Sequence, residues 1–482
     1  MKRYNLKSRM MTIIAVLVTV ITILTGCAGS GTLKTDMINN AQSETVQTES
    51  VLSEEVAAQT EEEKALSEAE EIQSVEVNTN DEVDTQTENS AADDSKEVVA
   101  VANTTTDGII NAESIFTKRD LTQTADLSEA VYYTVNDGED IYIDKEGVYV
   151  FAGSAKEVTI YVEAASDAKV QLVFDGADIT NSDFPCVYVK SGDKVFITTS
   201  ADSALTVTGS FTADDSVNTD AVIFSRSDIT LNGTATLSIS STDNGIAGKD
   251  DVKVTGGTYE ITAKSKAIEA NDSICISDGT FIINAGTDGL HAENEDDDSL
   301  GYIYICGGTF TINAGDDAIH AVSVVQIDDG TFTIKAAEGI EGTYLQINGG
   351  AIDIYATDDG FNAAKKSGSY YPTIEINDGE ITVSMASGDT DGIDSNGNII
   401  VNGGTINVTG SSTFDCDGNA EYNGGTIIVN GQQVNSIPTQ MMGGMGQGGM
   451  NQGGQMGGMG QDGMMGGMNQ GGMMGGNGGR RR

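Results

Sequence analysis

The sequence predicts an all-β protein, a right-handed parallel β-helix with about 22–24 residues in each coil. Three observations support this prediction. A Gly-Gly or Asp-Gly pair recurs through the second half of the chain, apolar and polar residues alternate on both sides of each pair, and a third short apolar element follows. Three short strands separated by glycine and aspartate corners are typical of one coil of a β-helix.

The glycine that closes each pair sets the repeat, and it recurs every ~24 residues. These glycines are Gly233, Gly257, Gly279, Gly308, Gly330, Gly350, Gly379, Gly404 and Gly425. An aromatic or branched residue often follows two positions later, as Phe281, Phe310 and Ile352 do, and we expect these side chains to stack inside the coil. A leucine-rich repeat has a similar period but requires a leucine ladder, which this chain lacks. Crossovers between parallel strands are nearly always right-handed, which sets the predicted hand.

Changes in composition divide the chain into five segments. Polar, acidic residues without aromatics before about residue 110 predict disorder, and so does the glycine- and methionine-rich end. The predicted segments are a lipoprotein signal peptide (1–26), an acidic disordered tether (27–110), an N-terminal cap with the first coils (111–232), the regular coils (233–435) and a disordered Gly/Met/Gln-rich tail (436–482).

The N-terminal segment carries the signal of a bacterial lipoprotein. Positive residues between Lys2 and Arg9 precede an apolar stretch from Met10 to Ile23, and the segment ends in Leu24-Thr25-Gly26-Cys27. This arrangement is a secretory signal followed by a lipobox. We therefore expect lipid on Cys27 and an extracytoplasmic protein that is anchored to the bacterial membrane at the cell surface.

The net charge excludes one large class of partners. The chain has 73 Asp and Glu against 25 Lys and Arg, a formal net charge of −48. Such a chain cannot neutralise a run of phosphates, so no nucleic-acid partner is expected. Only 2 His are present, which excludes a multi-histidine metal centre.

Aligning the coils on the third apolar element reveals two polar columns that are three residues apart. The first column is Asn244, Lys266, Asp288, Asp317, Glu338, Asp359 and Asp391. The second is Ala247, Glu269, His291, His320, Glu341, Asn362, Asp394 and, less closely, Asp417. Five successive carboxylates spaced at about 4.8 Å would repel one another unless cations lie among them.

Calcium is the cation that this pattern favours, because Ca²⁺ takes several oxygen ligands in flexible geometry and is abundant outside cells. The expected ligands are Asp288, Asp316, Asp317, Glu338, Asp358, Asp359, Asp391 and Asp394. A solvated acidic face is the alternative. For His291 and His320, a stacked polar ladder is favoured over a zinc or catalytic role.

Two insertions just after the polar columns predict a binding face, because insertions on one side of a solenoid often form it. They span 293–301 and 365–372, and we expect them three coils apart along one edge. Tyrosine rings can stack on sugars and lysines can pair with uronates. The expected ligand-binding residues are Tyr302, Tyr304, Lys365, Lys366, Tyr370 and Tyr371, with Tyr302 and Tyr304 pointing outward from their strand.

The lipobox, the acidic tether, the Gly-Gly-Thr-Phe-x-Ile coils and the Gly/Met-rich tail together resemble bacterial carbohydrate-binding domain lipoproteins. The resemblance covers about residues 110–435. It implies a calcium-containing, pectate-lyase-like right-handed β-helix that binds cellulose or an acidic polysaccharide such as polygalacturonate.

A non-catalytic role is expected, because no arginine lies between Gly233 and Val434 that could serve as the base of a lyase. Two alternatives stay open at this point. One is a calcium-dependent polysaccharide lyase that uses Lys365 or Lys366 as its base, and the other is a structural adhesin without a sugar ligand.

Overall fold

The computed structural model describes residues 108–110, 114–215, 217–388 and 390–438. This part of the chain is all-β, with 32 strands and no α-helix. Within it, no helix is long and apolar enough to cross a bilayer. The signal peptide, Cys27, nearly all of the tether and most of the tail lie outside the described residues, so the expectations about them stay predictions.

The strands are short and follow one another closely along the chain. They are β1 (Val131–Thr134), β2 (Ile141–Ile143), β3 (Gly147–Lys156), β4 (Ile160–Glu163), β5 (Lys169–Asn181), β6 (Val187–Ser191), β7 (Lys194–Ala201), β8 (Ser203–Val207), β9 (Ala221–Ser225), β10 (Asp228–Gly233), β11 (Thr236–Ser241), β12 (Asn244–Gly248), β13 (Asp251–Ala263), β14 (Ile268–Ala270), β15 (Ser273–Ala285), β16 (Leu290–Ala292), β17 (Tyr302–Ile305), β18 (Thr309–Ala314), β19 (Asp317–Ile327), β20 (Thr331–Ala336), β21 (Glu338–Ile347), β22 (Ala351–Ala356), β23 (Phe361–Ala363), β24 (Thr373–Ile376), β25 (Glu380–Met385), β26 (Asp391–Ser395), β27 (Asn398–Val401), β28 (Thr405–Thr409), β29 (Ser412–Cys416), β30 (Ala420–Tyr422), β31 (Thr426–Val429) and β32 (Gln432–Val434).

Most strands pair in parallel with their counterparts in the next repeat, and these pairings form three ladders. Ladder A contains the strands before each glycine pair, from β1 through β13 and β15 to β30. Ladder B contains the strands after the pair, from β3 through β20 to β31. Ladder C contains the third short element, from β2 through β16 to β29. Among these strands, only β31 and β32 pair antiparallel.

The repeating glycines have a backbone reason to be glycine. The second glycine of every pair has a positive φ, for example 107° at Gly308 and 132° at Gly330. At Gly330 a Cβ atom would also lie 2.9 Å from the Phe332 ring. Each pair therefore sets a corner that an ordinary L-residue would strain.

Inside the corners, aromatic side chains stack as the sequence predicted. The rings of Tyr259, Phe281, Phe310 and Phe332 follow one another with centroid spacings of 5.4, 4.6 and 4.6 Å. The branched side chains of Ile352, Ile381 and Ile406 continue the same register. All of these side chains are buried, so one apolar core runs along the molecule.

The segment that precedes β1 lies across the strands of ladder A. We call the described residues between 108 and 123 the strap. At its start, the backbone N–H of Ile109 donates to Gln346 Oε1 at 3.0 Å, and that of Ile110 donates to Gln326 Oε1 at 2.7 Å. Residues 108–110, which composition assigned to the tether, therefore contact the repeats.

Asp120 holds the other end of the strap. Its side chain is fully buried, 2.6 Å from Lys194 Nζ, and it accepts a hydrogen bond of 2.9 Å from Thr230 Oγ1. Burial alone would raise the pKa of this carboxyl, but the charge of Lys194 holds it below its usual range. The strap is therefore fixed by a buried ion pair as well as by apolar contacts.

Candidate functional site

Ladder C presents one outward-pointing residue per strand, and these residues form a continuous column. We call it the C column. In order it consists of Tyr142, Tyr161, Tyr188, Phe224, Ala247, Glu269, His291, His320, Glu341, Asn362, Asp394 and Asp415. The predicted second polar column is confirmed from Ala247 to Asp394, but Asp415 continues it instead of Asp417. The column is aromatic at its beginning, mixed in charge in its middle and acidic at its end.

The middle of the C column, from Glu269 to Glu341, together with the first-column residues Asp288 and Asp317 beside it, is the paired part, because each carboxylate there has a positive or protonatable neighbour. Lys266 Nζ lies 3.0 Å from Glu269 Oε1, and Asn244 donates to the same carboxylate at 2.9 Å. His291 Nδ1 lies 2.8 Å from Asp288 Oδ2. The repulsion predicted for stacked carboxylates is thus relieved here by the protein's own side chains.

His320 bridges two buried carboxylates in the paired part. Its Nδ1 lies 2.5 Å from Asp317 Oδ2 and 3.0 Å from Glu341 Oε2. Burial would lower the pKa of His320, but the hydrogen bonds to Asp317 and Glu341 raise it to about 9. The imidazole is therefore positively charged at neutral pH and serves as an internal counter-ion.

Lys366 completes this network from the 365–372 loop. Its Nζ lies 2.8 Å from Glu341 Oε1. Burial would raise the pKa of Glu341, but its hydrogen bonds to His320 and Lys366 hold it below the usual range. Lys366 thus forms an ion pair within the protein, although it is exposed like the neighbouring Lys365.

The first polar column has a structural role as well. Its side-chain oxygens accept backbone N–H groups from the next repeat. Asp288 Oδ1 accepts from Asp317 at 3.3 Å, and Asp359 Oδ1 accepts from Asp391 at 3.1 Å. The flanking Asp316 and Asp358 are exposed. These bonds join successive repeats beside the short strands of ladder C.

The end of the column, from Asn362 to Asp415, together with the first-column residues Asp359 and Asp391 beside it, is the acidic part. In the described residues, no Lys, Arg or His forms an ion pair with Asp359, Asp391, Asp394 or Asp415. Burial, followed by the charges of neighbouring aspartates, raises the pKa of Asp394 to about 7. Burial also raises the pKa of Asp359 to about 6. Within the described part of the chain, Asp391 Oδ1 is buried without a hydrogen-bond partner.

The two parts offer different donor atoms to a metal ion. In the paired part, Asp317, His320 and Glu341 could hold an ion, because one donor atom from each lies within 4.8 Å of the others. This nitrogen and oxygen set suits a transition metal better than calcium. The acidic part offers only oxygen donors, which fit Ca²⁺, and its unpartnered Asp391 oxygen is a ready ligand. Glu338, between the two parts, has a pKa that burial raises to about 8.

The two inserted loops touch each other. Ser367 Oγ donates to the carbonyl oxygen of Asp298 at 2.5 Å, and the Gly368 N–H donates to its carboxylate at 3.2 Å. The expectation that the loops lie three coils apart is therefore wrong for their tips, because the loops bend along the edge until they meet. In the second loop, Tyr371 is 60% exposed, and Tyr370 packs at 6.5 Å against the ring of Tyr344.

The first loop borders an open acidic basin of about 600 Å³. Glu269, Asp272, Glu293 and Asp297 line it, with Lys249 as the positive residue among the lining. The Asn294 side chain donates to Asp272 Oδ1 at 2.7 Å, which orders the loop. An anionic polymer would meet repulsion in this basin unless cations accompany it.

Tyr304 is not available to a ligand, contrary to the expectation. It points away from the main core, as its position between Ile303 and Ile305 predicted, but the strap covers it. Only 1% of Tyr304 is exposed, and its ring lies 6.4 Å from that of Phe116. Tyr302 is partly buried in the same cluster. Outward direction on a strand did not produce exposure here, because a distant segment packs on that face.

Sequence reasoning missed the aromatic beginning of the C column. Tyr142, Tyr161 and Tyr188 each stand between two β-branched residues, as in Ile141-Tyr142-Ile143. This is the same apolar–x–apolar triplet that holds Glu269 and His291. Extending the alignment of the third element toward the N-terminus could have found these residues.

Comparisons with known proteins find a matching family model and similar proteins. A family model described as carbohydrate-binding domain-containing protein matches residues 137–390 and 341–435. A relative of that name from Acetivibrio thermocellus is 34% identical over 129 residues, which is 26% of this chain and 45% of the relative. The matched stretch therefore spans less than half of that relative. A solved structure of a polysaccharide lyase-like protein from C. thermocellum, a gadolinium derivative, is 30% identical and covers 46% of this chain and 93% of its own, with a TM-score of 0.40.

The family match extends over most of the described strands and includes both inserted loops and the whole polar part of the C column. The chain therefore belongs to the carbohydrate-binding domain-containing protein family.

Proposed function

We propose that this chain is a calcium-stabilised, non-catalytic polysaccharide-binding protein, held at the bacterial cell surface through lipid on Cys27. Its ligand is cellulose or an acidic polysaccharide such as polygalacturonate. Family membership supports the carbohydrate ligand. The lipobox sequence supports the anchor, and a chain anchored in this way would meet its polymer outside the cell.

We infer further that the three ladders are the faces of a right-handed parallel β-helix. Each repeat supplies one strand segment to ladders A, B and C in turn, and parallel pairing joins each segment to the next repeat. Right-handed connections between parallel strands are the strong rule.

Calcium belongs, in this proposal, to the acidic part of the C column. Asp359, Asp391, Asp394 and Asp415 would hold it, because they supply oxygen atoms and have no cationic partner in the described residues. Bound calcium supplies the positive charge that His320 and Lys366 supply in the paired part. Asp288 and Asp317, which the sequence placed among the ligands, already contact histidines and need calcium less.

The observation that supports the binding face most directly is the joined pair of loops. The contact between Ser367 and Asp298 fixes the second loop, which carries the exposed residues Tyr371 and Lys365. A ring and a cation on a fixed loop can recognise the apolar face and the carboxylate of a uronate. Lys366 instead positions the loop through Glu341.

Replacing both Tyr370 and Tyr371 with Ala tests this face. Loss of the two rings should weaken binding to cellulose and to polygalacturonate about tenfold, judging by aromatic contacts in general. Binding would be measured by depletion from solution with insoluble cellulose and by affinity electrophoresis in polygalacturonate. Tyr355→Ala is the matched control, because Tyr355 is exposed on ladder B, away from the loops.

Full-strength binding by the double variant would place the face elsewhere. Lys365→Ala should weaken binding to polygalacturonate but not to cellulose, since only the uronate carries charge. The same samples, incubated with polygalacturonate and Ca²⁺, also test the lyase alternative. Formation of unsaturated, ultraviolet-absorbing products would show catalysis and would contradict a purely binding role.

A further inference from the structure

The C column begins in a pair of parallel tyrosine rings. Tyr142 on β2 and Tyr161 on β4 stack with centroids 4.9 Å apart and planes inclined by 4°. Tyr142 is 68% exposed, although Ile141 and Ile143 beside it are buried in the core. The backbone that carries this exposed ring is therefore firmly anchored.

The ring of Tyr161 is held from behind. The rings of Phe184 and Tyr188 lie 6.1 and 6.0 Å away, and Lys190 Nζ lies 5.4 Å from the centroid of Tyr161. Lys190 itself is fixed by Asp214 at 2.9 Å. The stack thus descends from the fully buried Tyr188 to the exposed Tyr142, and a ligand would find the outer ring already ordered, which reduces the entropy cost of binding.

The outer side of Tyr142 has no partner strand. In the described part of the chain, β2 pairs only with β4, so the column has no residue beyond Tyr142. A flat ligand that stacks on this side would continue the column by one position. Tyr132, which is 65% exposed on ladder A, differs because no aromatic ring contacts it within the described residues.

The charges near this end indicate which sugars fit. Asp140 and Asp144 flank β2 and are both exposed. Of the two nearby lysines, Lys190 is paired with Asp214, whereas Lys145 is exposed and forms no ion pair within the described residues. The exposed acids around β2, which also include Glu139 and Glu146, outnumber Lys145, so a uronate carboxylate would meet more negative than positive charge. The apolar C–H face of a neutral pyranose can instead pack on the ring, and its hydroxyls can reach the flanking carboxylates.

We propose that Tyr142, supported by Tyr161, is a second sugar-binding platform that takes a pyranose ring of a neutral glycan. The proposal rests on the proposed function, to which it adds a site and a ligand class. This platform would lie at the beginning of the C column, whereas the joined loops lie beside its paired part. One chain would then contact a neutral glycan through the Tyr142 platform separately from its loop face.

The test compares Tyr142→Ala with Tyr132→Ala in the full chain. Both tyrosines are exposed, but only Tyr142 has the stacked support. Tyr142→Ala should weaken binding to insoluble cellulose roughly three- to tenfold and leave binding to polygalacturonate unchanged, while Tyr132→Ala should change neither. Tyr142→Leu, which keeps apolar volume without a ring, should behave like Ala, and Tyr142→Phe should retain binding.

The outcomes separate this proposal from the proposed function. The platform would be overturned if Tyr142→Ala bound cellulose as well as the unchanged chain does. It would also be overturned if the unchanged chain bound only polygalacturonate. In both cases the proposed function would stand. Failure of the unchanged chain to bind either polymer would overturn both. A shift from dimer to monomer in sedimentation, caused by Tyr142→Ala without a change in cellulose binding, would show a contact between copies and overturn the platform.

Discussion

The paired and acidic parts of the C column have the same strand geometry, but they differ in whether cationic side chains lie beside their stacked carboxylates. In the paired part, His320 and Lys366 neutralise Asp317 and Glu341 from within the protein. In the acidic part, Asp394 stacks on Asp415 in register with no such partner in the described residues. Parallel register brings like positions together whatever their charge. The residue types alone decide whether a cationic side chain lies beside the stacked carboxylates.

His320→Gln should have the largest effect on this comparison. Glutamine cannot carry a positive charge, so the buried carboxylates of Asp317 and Glu341 would lose their shared counter-ion. Breaking a buried pair in this way costs on the order of 3 kcal/mol or more of unfolding free energy. Urea unfolding at pH 7 would measure the loss.

The matched control for this variant is His291→Gln. His291 contacts the buried Asp288 and the half-exposed Glu293, so less buried charge is left without a partner. The destabilisation should be clearly smaller than that of His320→Gln. Equal losses for the two variants would mean that ring packing, not charge, stabilises the paired part.

Calcium removal should affect only the acidic part. Chelator should lower the melting temperature, and Ca²⁺ should restore it. At a hundredfold excess over its dissociation constant, Ca²⁺ should add about 2.7 kcal/mol to the free energy of unfolding. Asp394→Asn should reduce this response, because it removes one ligand charge, and should stabilise the chelated protein by removing repulsion. Differential scanning calorimetry with and without chelator measures both effects. A response to Ca²⁺ that is unchanged in Asp394→Asn would remove the acidic part from consideration.

The metal-free protein should lose stability as pH rises. The folded-state pKa values of Asp359 and Asp394, about 6 and about 7, lie above the ordinary aspartate value of 3.8. The contribution of these two groups to the free energy of unfolding is therefore greatest below pH 3.8 and is lost by about pH 7. The pKa of His320, about 9, lies above 6.5, so its contribution is present below pH 6.5 and is lost by about pH 9. Melting temperatures measured in chelator from about pH 5 to about pH 9, at roughly one-unit steps of pH, test this expected loss of stability.

The same pH series separates the two parts of the column. Asp394→Asn should reduce the slope of the curve mainly below about pH 7, and His320→Gln should reduce it mainly above that value. Flattening of the whole curve by either variant alone would show that the two parts titrate together.

Lys366→Met should have the smallest effect. It removes one of the two positive neighbours of Glu341 but leaves His320 in place, and the Lys366 side chain is already 29% exposed. We expect a loss of about 1 kcal/mol in unfolding free energy, measured by urea unfolding. Lys365→Met is the matched control, because Lys365 forms no ion pair within the described residues, and it should change stability little. Equal effects would mean that the ion pair with Glu341 contributes nothing.

Much of the site was predictable because its features are local and repeated. The triplets around Glu269, His291 and His320 alternate with period 2, so the middle residue of each must face outward, and parallel register then stacks them. The pairing of charges was less predictable. Lys366 comes from an inserted loop whose path the repeat does not specify, and the hydrogen bonds of His320 depend on distances of a few tenths of an ångström.

The sequence by itself determined the repeat, its glycine corners and the order of residues in the C column, because positive φ and strand alternation act over a few neighbouring residues. Only the tertiary structure decided which outward positions are covered. The strap contacts Gln346 across 237 positions and hides Tyr304, and Ser367 reaches Asp298 across 69. Such contacts depend on where distant segments return to the surface, and no local pattern of residues specifies that.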